Sequence, residues 1–113
     1  GEDGLDEISL SGITHVSELS ENSIKEYIFD PKNYGYEYIN NLDIKGGDSK
    51  YNAKKFIEML DGSNKKFQNI VELNAGATLY IAGISKNLKE GFNLANKSVE
   101  SGKSKKYFES LII

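Results

Sequence analysis

KKFQNIVELNAGATLYIA, residues Lys65 to Ala82, is the stretch that decides the fold. Phe67, Ile70, Val71, Asn74, Ala77, Thr78 and Ile81 recur at helical spacing and form one stripe. Leu73, Leu79 and Tyr80 lie outside that stripe, so the second half is apolar almost all round. This pattern predicts a helix buried in the centre of a domain. Ala75, Gly76 and Ala77 are small enough to let a neighbour approach closely, and Gly83 stops the helix. Asn74 is the polar exception. A buried asparagine needs hydrogen-bond partners, and this one reads as structural, fixing packing or reaching the backbone of the N-terminal loop.

On either side the periodicity continues. Ala53, Phe56, Ile57 and Leu60 predict an amphipathic helix over Ser49–Leu60, capped by Asp48 and closed by Gly62. Ser85 is placed to cap a third helix running to Ser101, with Leu88, Phe92, Ala95 and Val99 facing inward. Gly102 ends it, and Lys103 to Ile112 makes a last short helix. Towards the N-terminus the period changes to two. Thr14–Leu19 and Ile24–Phe29 read as strands, and the turn Ser20-Glu21-Asn22-Ser23 joins them as an antiparallel hairpin. Asp30-Pro31 ends the second strand, because proline cannot donate to a ladder. Residues 34–42 are aromatic and irregular. The expected class is α+β, mostly helical with one antiparallel β-hairpin. A two-stranded hairpin is marginal alone, which suggests a fragment of a larger α/β domain whose remaining strands lie elsewhere.

Composition narrows the function classes. The chain of 113 residues carries 14 basic and 17 acidic residues, a net charge of −3. That balance gives no broad electrostatic reason to bind nucleic acid. Lysines at 54–55, 65–66 and 103–106 read as solvated helix faces. No apolar run is long enough to span a bilayer, and the acidic, glycine-rich start has no signal-peptide pattern. With no cysteine, disulfides and thiolate metal sites are excluded, and a reducing cytoplasm is the expected compartment. The chain opens on Gly1 and reads as processed or cut from a longer protein.

Chemistry concentrates in Gly4-Leu5-Asp6-Glu7-Ile8-Ser9. Adjacent carboxylates on a glycine-flanked loop can share a hard divalent cation, and magnesium favours one or two carboxylates completed by water and substrate phosphates. Ser9 could add a hydroxyl. Taken by spacing alone, two solvated acids are the commoner reading; Glu2 and Asp3 enlarge the negative field but add little specificity. His15, the one histidine, has no acid or serine in an evident triad relation. Lys45-Gly46-Gly47-Asp48 lacks a phosphate-loop pattern and reads as a capping turn. Tyr34, Tyr36 and Tyr38 could stack on a ligand, although packing at a core edge is commoner.

Together these strings resemble one enzyme family. GLDEISLSG (Gly4–Gly12) is similar to the GxDE(I/L)SxTG segment of anthranilate phosphoribosyltransferases. The order continues through Asp30-Pro31-Lys32-Asn33-Tyr34-Gly35, then GGDSKYNA (Gly46–Ala53), then LNAGATLYIAG (Leu73–Gly83). Ser11-Gly12-Ile13-Thr14 stands where the family usually has a TGPT-like string. The resemblance implies residues 1–113 of the C-terminal part of a phosphoribosyltransferase α/β domain, without the family's N-terminal helical domain or its glycine-rich pyrophosphate loop. It implies transfer of phosphoribosyl from phosphoribosyl pyrophosphate to anthranilate in tryptophan biosynthesis, with Asp6 and Glu7 as ligands of Mg2+. No catalytic residue or anthranilate-binding residue can be carried over. The expected partners are the two substrates, the missing N-terminal part of the same protein and a possible second copy, with neither nucleic acid nor membrane. The isolated stretch is expected to be inactive. Two alternatives remain at this point: a non-enzymatic interaction module, and a fragment of a related nucleoside phosphorylase.

Overall fold

The computed structural model describes residues 1–112, and its elements follow the change of period in the sequence. Strands β1 (Thr14–Ser20) and β2 (Ser23–Phe29) pair antiparallel, from Thr14 opposite Phe29 to Ser20 opposite Ser23. Glu21 and Asn22 form the two-residue loop, with φ of 48° and 63°. Two positive φ values are the mark of a type I′ turn, whose twist matches that of the strands. Helices α1 (Ser49–Leu60), α2 (Lys65–Ile81), α3 (Leu88–Glu100) and α4 (Lys103–Leu111) follow. The mostly helical α+β class expected from the sequence is the one observed. No helix among the described residues is long and apolar enough to cross a membrane.

Packing divides the chain into two compact units, residues 1–41 and Leu42 onward, a division that the sequence reading does not draw. In the first, Leu10, Phe29 and Pro31 are buried. Residues 31–44 are not simply irregular: Pro31–Tyr34 and Asn41–Ile44 are 3-10 turns. Asp30 caps the former by accepting from the Lys32 amide at 3.0 Å. The phenyl ring of Phe29 stacks on Tyr34 at 5.0 Å between centroids. Tyr38 donates to Asp30 at 3.0 Å and lies under Lys32 Nζ. Tyr34 therefore serves packing, whereas Tyr38 is exposed and is held by these polar contacts.

In the second unit α2 packs mainly on α3, α1 on α2, and α4 on α3. Its core is Met59, Leu60, Ile70, Leu73, Phe92 and Ala95, and each large side chain fully buried there contributes roughly 1.5–3 kcal/mol. The crossing of α2 and α3 is backbone on backbone. A Cβ on Gly91 would stand 2.2 Å from the Gly76 carbonyl oxygen, and one on Gly76 would stand 2.6 Å from the Phe92 nitrogen. Only glycine lets two helices meet at that separation.

Two sequence expectations are corrected here. Helix α2 is not buried all round: Ala75, Thr78 and Ile81 are exposed, Ile81 at 76%. Of the expected stripe Ile70 is buried, and the rest of the buried face runs through Gln68, Glu72, Leu73 and Gly76. Close approach at Gly76 selects the face that meets α3. The apolar remainder lines an open groove of about 1010 Å³ with Phe56, Leu79, Leu94, Val99 and Tyr107 among its walls. The second correction concerns the α3 cap. Asn87, not Ser85, is the cap, accepting from the Glu90 amide at 2.9 Å. Ser85 is buried and donates to the Asn87 carbonyl at 3.2 Å. Glu90 in turn accepts from the Lys86 amide at 2.8 Å, a near relative of the capping box.

The polar residues on the buried face of α2 bond to one another and to α3, although Gln68 Oε1 is buried without a partner among the described residues. Glu72 Oε1 accepts from Gln68 Nε2 at 2.6 Å and from Asn96 Nδ2 at 2.9 Å. Gln68 Nε2 also donates to Glu100 Oε1, which receives Lys65 Nζ at 2.6 Å. The Lys65 hydrogen bond leads, with Gln68 and the lysine charge behind it, in holding Glu100 below the usual carboxylate range. Asn74 is half-buried, and one of its partners is local: its amide donates to the Ile70 carbonyl at 3.0 Å.

Candidate functional site

The acidic loop is built around Asp3. Oδ1 accepts from the Leu5 amide at 3.1 Å, an Asx turn two residues on. Oδ2 accepts from Ser9 Oγ at 2.6 Å, from Asn41 Nδ2 at 2.9 Å and from Ser11 Oγ. Desolvation pushes this carboxyl up, but the hydrogen bonds from Ser11, Ser9, Asn41 and Leu5 outweigh it and hold Asp3 far below the usual range. The flanks are tied down as well. The Glu2 amide donates to the Ile13 carbonyl at 3.0 Å, and the Ile39 amide to the Leu10 carbonyl at 3.0 Å. The Ser9 amide donates to Thr14 Oγ1 at 3.0 Å, and Ser9 and Leu10 are both fully buried.

Between these anchors, Asp6 and Glu7 sit on a bend, and both are exposed. Among the described residues their carboxylates accept no hydrogen bond and form no ion pair. This is the donor set that a hard cation can use: two oxygen ligands uncommitted to the protein. Among the described residues no group of three or more histidine, cysteine or acidic side chains forms a metal cage. A pair of carboxylates still fits magnesium, which keeps several waters and takes its other ligands from phosphate oxygens. Ser9 does not join the pair. Its hydroxyl donates to Asp3 and accepts from the Ser11 amide at 3.0 Å.

The other candidates fall outside this loop. His15 is exposed on β1 opposite Ile28. Lys45–Asp48 is a capping turn: Asp48 accepts from the Tyr51 amide at 2.7 Å, and Asn52 bonds both the amide and the carbonyl of Gly47. The lysine runs are largely solvated, and several of their members pair with acids, as in Lys55 with Glu58 and Lys66 with Asp43, both at 2.8 Å.

Residues 1–105 match the sequence model of the glycosyl transferase family, a/b domain. The chain belongs to this family. Among curated relatives, the anthranilate phosphoribosyltransferase of Bacillus cereus is 41% identical over 109 residues, which is 96% of this chain and 32% of that protein. The anthranilate phosphoribosyltransferase of Methanobrevibacter smithii is 38% identical over 112 residues, 99% of this chain and 33% of that protein. That of Thermoanaerobacter sp. is 41% identical over 102 residues, 90% and 30% respectively. The chain thus spans about a third of the length of the curated relatives it matches.

Within this glycosyl transferase domain, sequence reasoning missed Asp3 and Asn41. Asp3 was one acid among several, and Asn41 lies 38 positions away from it. The Asx-turn string Asp3-Gly4-Leu5, followed by Ser9 and Ser11, is the signal that points to Asp3. Nothing local in the sequence marks Asn41.

Proposed function

We propose that this chain is the C-terminal part of the α/β domain of an anthranilate phosphoribosyltransferase, and that Asp6 and Glu7 hold a magnesium ion with the diphosphate of phosphoribosyl pyrophosphate. The observation that carries the reading is the posture of the pair. Two adjacent carboxylates are exposed and take no donor among the described residues, while the chain before and after them is tied by hydrogen bonds. Similarity over nearly the whole chain to proteins of that name supports the substrate assignment.

In the proposed reaction the anthranilate amine attacks C1 of the ribose. The C1–O bond breaks, its electron pair leaves with pyrophosphate, and the amine loses a proton. Held by Asp6 and Glu7, a magnesium ion would supply positive charge against the negative charge that grows on the leaving group as this bond breaks. The contribution of Asp6 and Glu7 is to hold and orient, which is worth most when the reacting groups are already aligned. No residue of this stretch is assigned to the proton transfer. A cytoplasmic location suits these phosphorylated substrates.

The test uses the full-length protein. Anthranilate phosphoribosylation is expected, with loss of at least about tenfold in activity for Asp6→Ala and Glu7→Ala, the usual scale for losing a positioned group. The isolated stretch is expected to be inactive, and turnover by it would refute the fragment reading. Activity on pyrimidine nucleosides rather than anthranilate would move the assignment to a nucleoside phosphorylase.

A further inference from the structure

We infer that Asp3 is the positioning residue of the acidic pair, and that Asn41 and Ser11 hold it in place for that task. The inference rests on the reading of Asp6 and Glu7 as the cation ligands and extends it to the groups that hold their loop. One carboxylate clasps the loop on both sides of the pair. Its Oδ1 takes the Leu5 amide immediately before Asp6, and its Oδ2 takes Ser9 Oγ just after Glu7. The span between the two clasps is Asp6, Glu7 and Ile8 alone, too short to swing freely. Asn41 ties the clasp to a distant part of the same unit.

A second consequence follows from hydrogen-bond capacity. Asp3 already receives Leu5, Ser9, Ser11 and Asn41, and an ionised carboxylate offers about four lone-pair sites. Three of these donors meet Oδ2 and one meets Oδ1, so most of its charge is met by the protein. The arrangement separates two kinds of acid within seven residues. Asp3 spends its carboxylate on organising the loop, and Asp6 and Glu7 are exposed with carboxylates that accept no hydrogen bond from the described residues. Groups behind metal ligands commonly change metal affinity by about 10–100-fold when removed.

The experiment uses full-length protein and Mn2+ as a spectroscopic stand-in for magnesium. Free Mn2+ is followed by electron paramagnetic resonance with phosphoribosyl pyrophosphate present and anthranilate absent, so no turnover is needed. Asp3→Ala is expected to raise the Mn2+ dissociation constant by about tenfold, near the lower end of that range. Asn41→Ala and Ser11→Ala each remove one donor and are expected to raise it about threefold, a fraction of the same effect. Ser11→Thr keeps the hydroxyl and is expected to restore the parent value. Should Asp3→Ala fail to fold, the Asn41 and Ser11 variants carry the test. An unchanged dissociation constant in those variants, even with a lower melting temperature, overturns the inference and leaves Asp3 as scaffold only. Asp6→Ala is the control. If it weakens Mn2+ binding while the other variants do not, positioning alone is wrong. If it too has no effect, the metal reading falls and the inference with it.

Discussion

The two units place carboxylates among amide and hydroxyl donors to opposite ends. In the helical unit, Glu72 is 2% exposed and receives Gln68 and Asn96 where α2 and α3 press together. There the hydrogen bonds offset the burial of the Glu72 carboxylate at a close-packed crossing. In the loop unit, Asp3 lies at the surface and receives Leu5, Ser9, Ser11 and Asn41. Those hydrogen bonds hold a posture, and the neighbouring Asp6 and Glu7 carboxylates accept none from the described residues. The lesson is that a hydrogen-bonded carboxylate marks neither a core nor a site by itself. What separates the two cases is whether adjacent acceptors remain unused.

The difference can be broken most severely at the helix crossing. Gly91→Ala forces a methyl group to within 2.2 Å of the Gly76 carbonyl oxygen. It is expected to cost about 3 kcal/mol or more, the upper range for overpacking a core. Urea unfolding measures the loss, and amide exchange should show it across residues 65–100 while residues 1–13 keep their protection. A smaller effect is expected from Glu72→Leu, which leaves Asn96 Nδ2 and Gln68 Nε2 without this acceptor. Unmatched buried donors put the cost at about 2 kcal/mol. Replacing Asn96 by leucine in the same molecule should recover part of it, since removing both partners is cheaper than removing one. If the double variant is no better than the single, the polar pair is not what the crossing needs.

The smallest effect belongs to the loop unit and is read by pH. The folded-state pKa of Asp3 is lowered, so its stabilisation is present above the ordinary aspartate value of about 3.9 and is lost as pH falls below it. Glu100 acts with the same sign from the helical unit. Both side chains are solvated, so screening keeps the effect modest. Ser11→Ala weakens the grip on Asp3 and should flatten the fall of the urea midpoint between pH 5 and about pH 3, a window set by the ordinary carboxylate values. An unaltered slope in that variant would mean that Asp3 gains nothing from its hydroxyl partners.

Most of the fold is legible wherever local pattern and packing agree. The alternation in Thr14–Leu19 and Ile24–Phe29 yields the hairpin to within a residue, and Asp48 caps α1 as its position before an apolar stripe requires. Reading fails where a choice is made by contact. The apolar stripe of α2 points to Phe67, Thr78 and Ile81, yet Gly76 meeting Gly91 turns Gln68 and Glu72 inward. The true α3 cap had its own signature in Asn87-Leu88-Lys89-Glu90, whose N-x-x-E spacing outweighs the nearer appeal of Ser85. At the candidate site Asp6 and Glu7 were visible as adjacent acids. Their separation from Asp3 was not, because three of its four partners arrive from Ser9, Ser11 and Asn41 through folding.

The hairpin turn has a practical consequence. Glu21 holds a left-handed backbone with φ of 48°, a conformation that a branched or long side chain reaches only with strain. Asn-Gly at positions 21 and 22 is the pair that such a turn accepts most readily. The turn is therefore an adjustable screw for protein engineers: it can be tightened to stiffen β1 and β2, and no residue of the acid-bearing loop has to be altered in doing so.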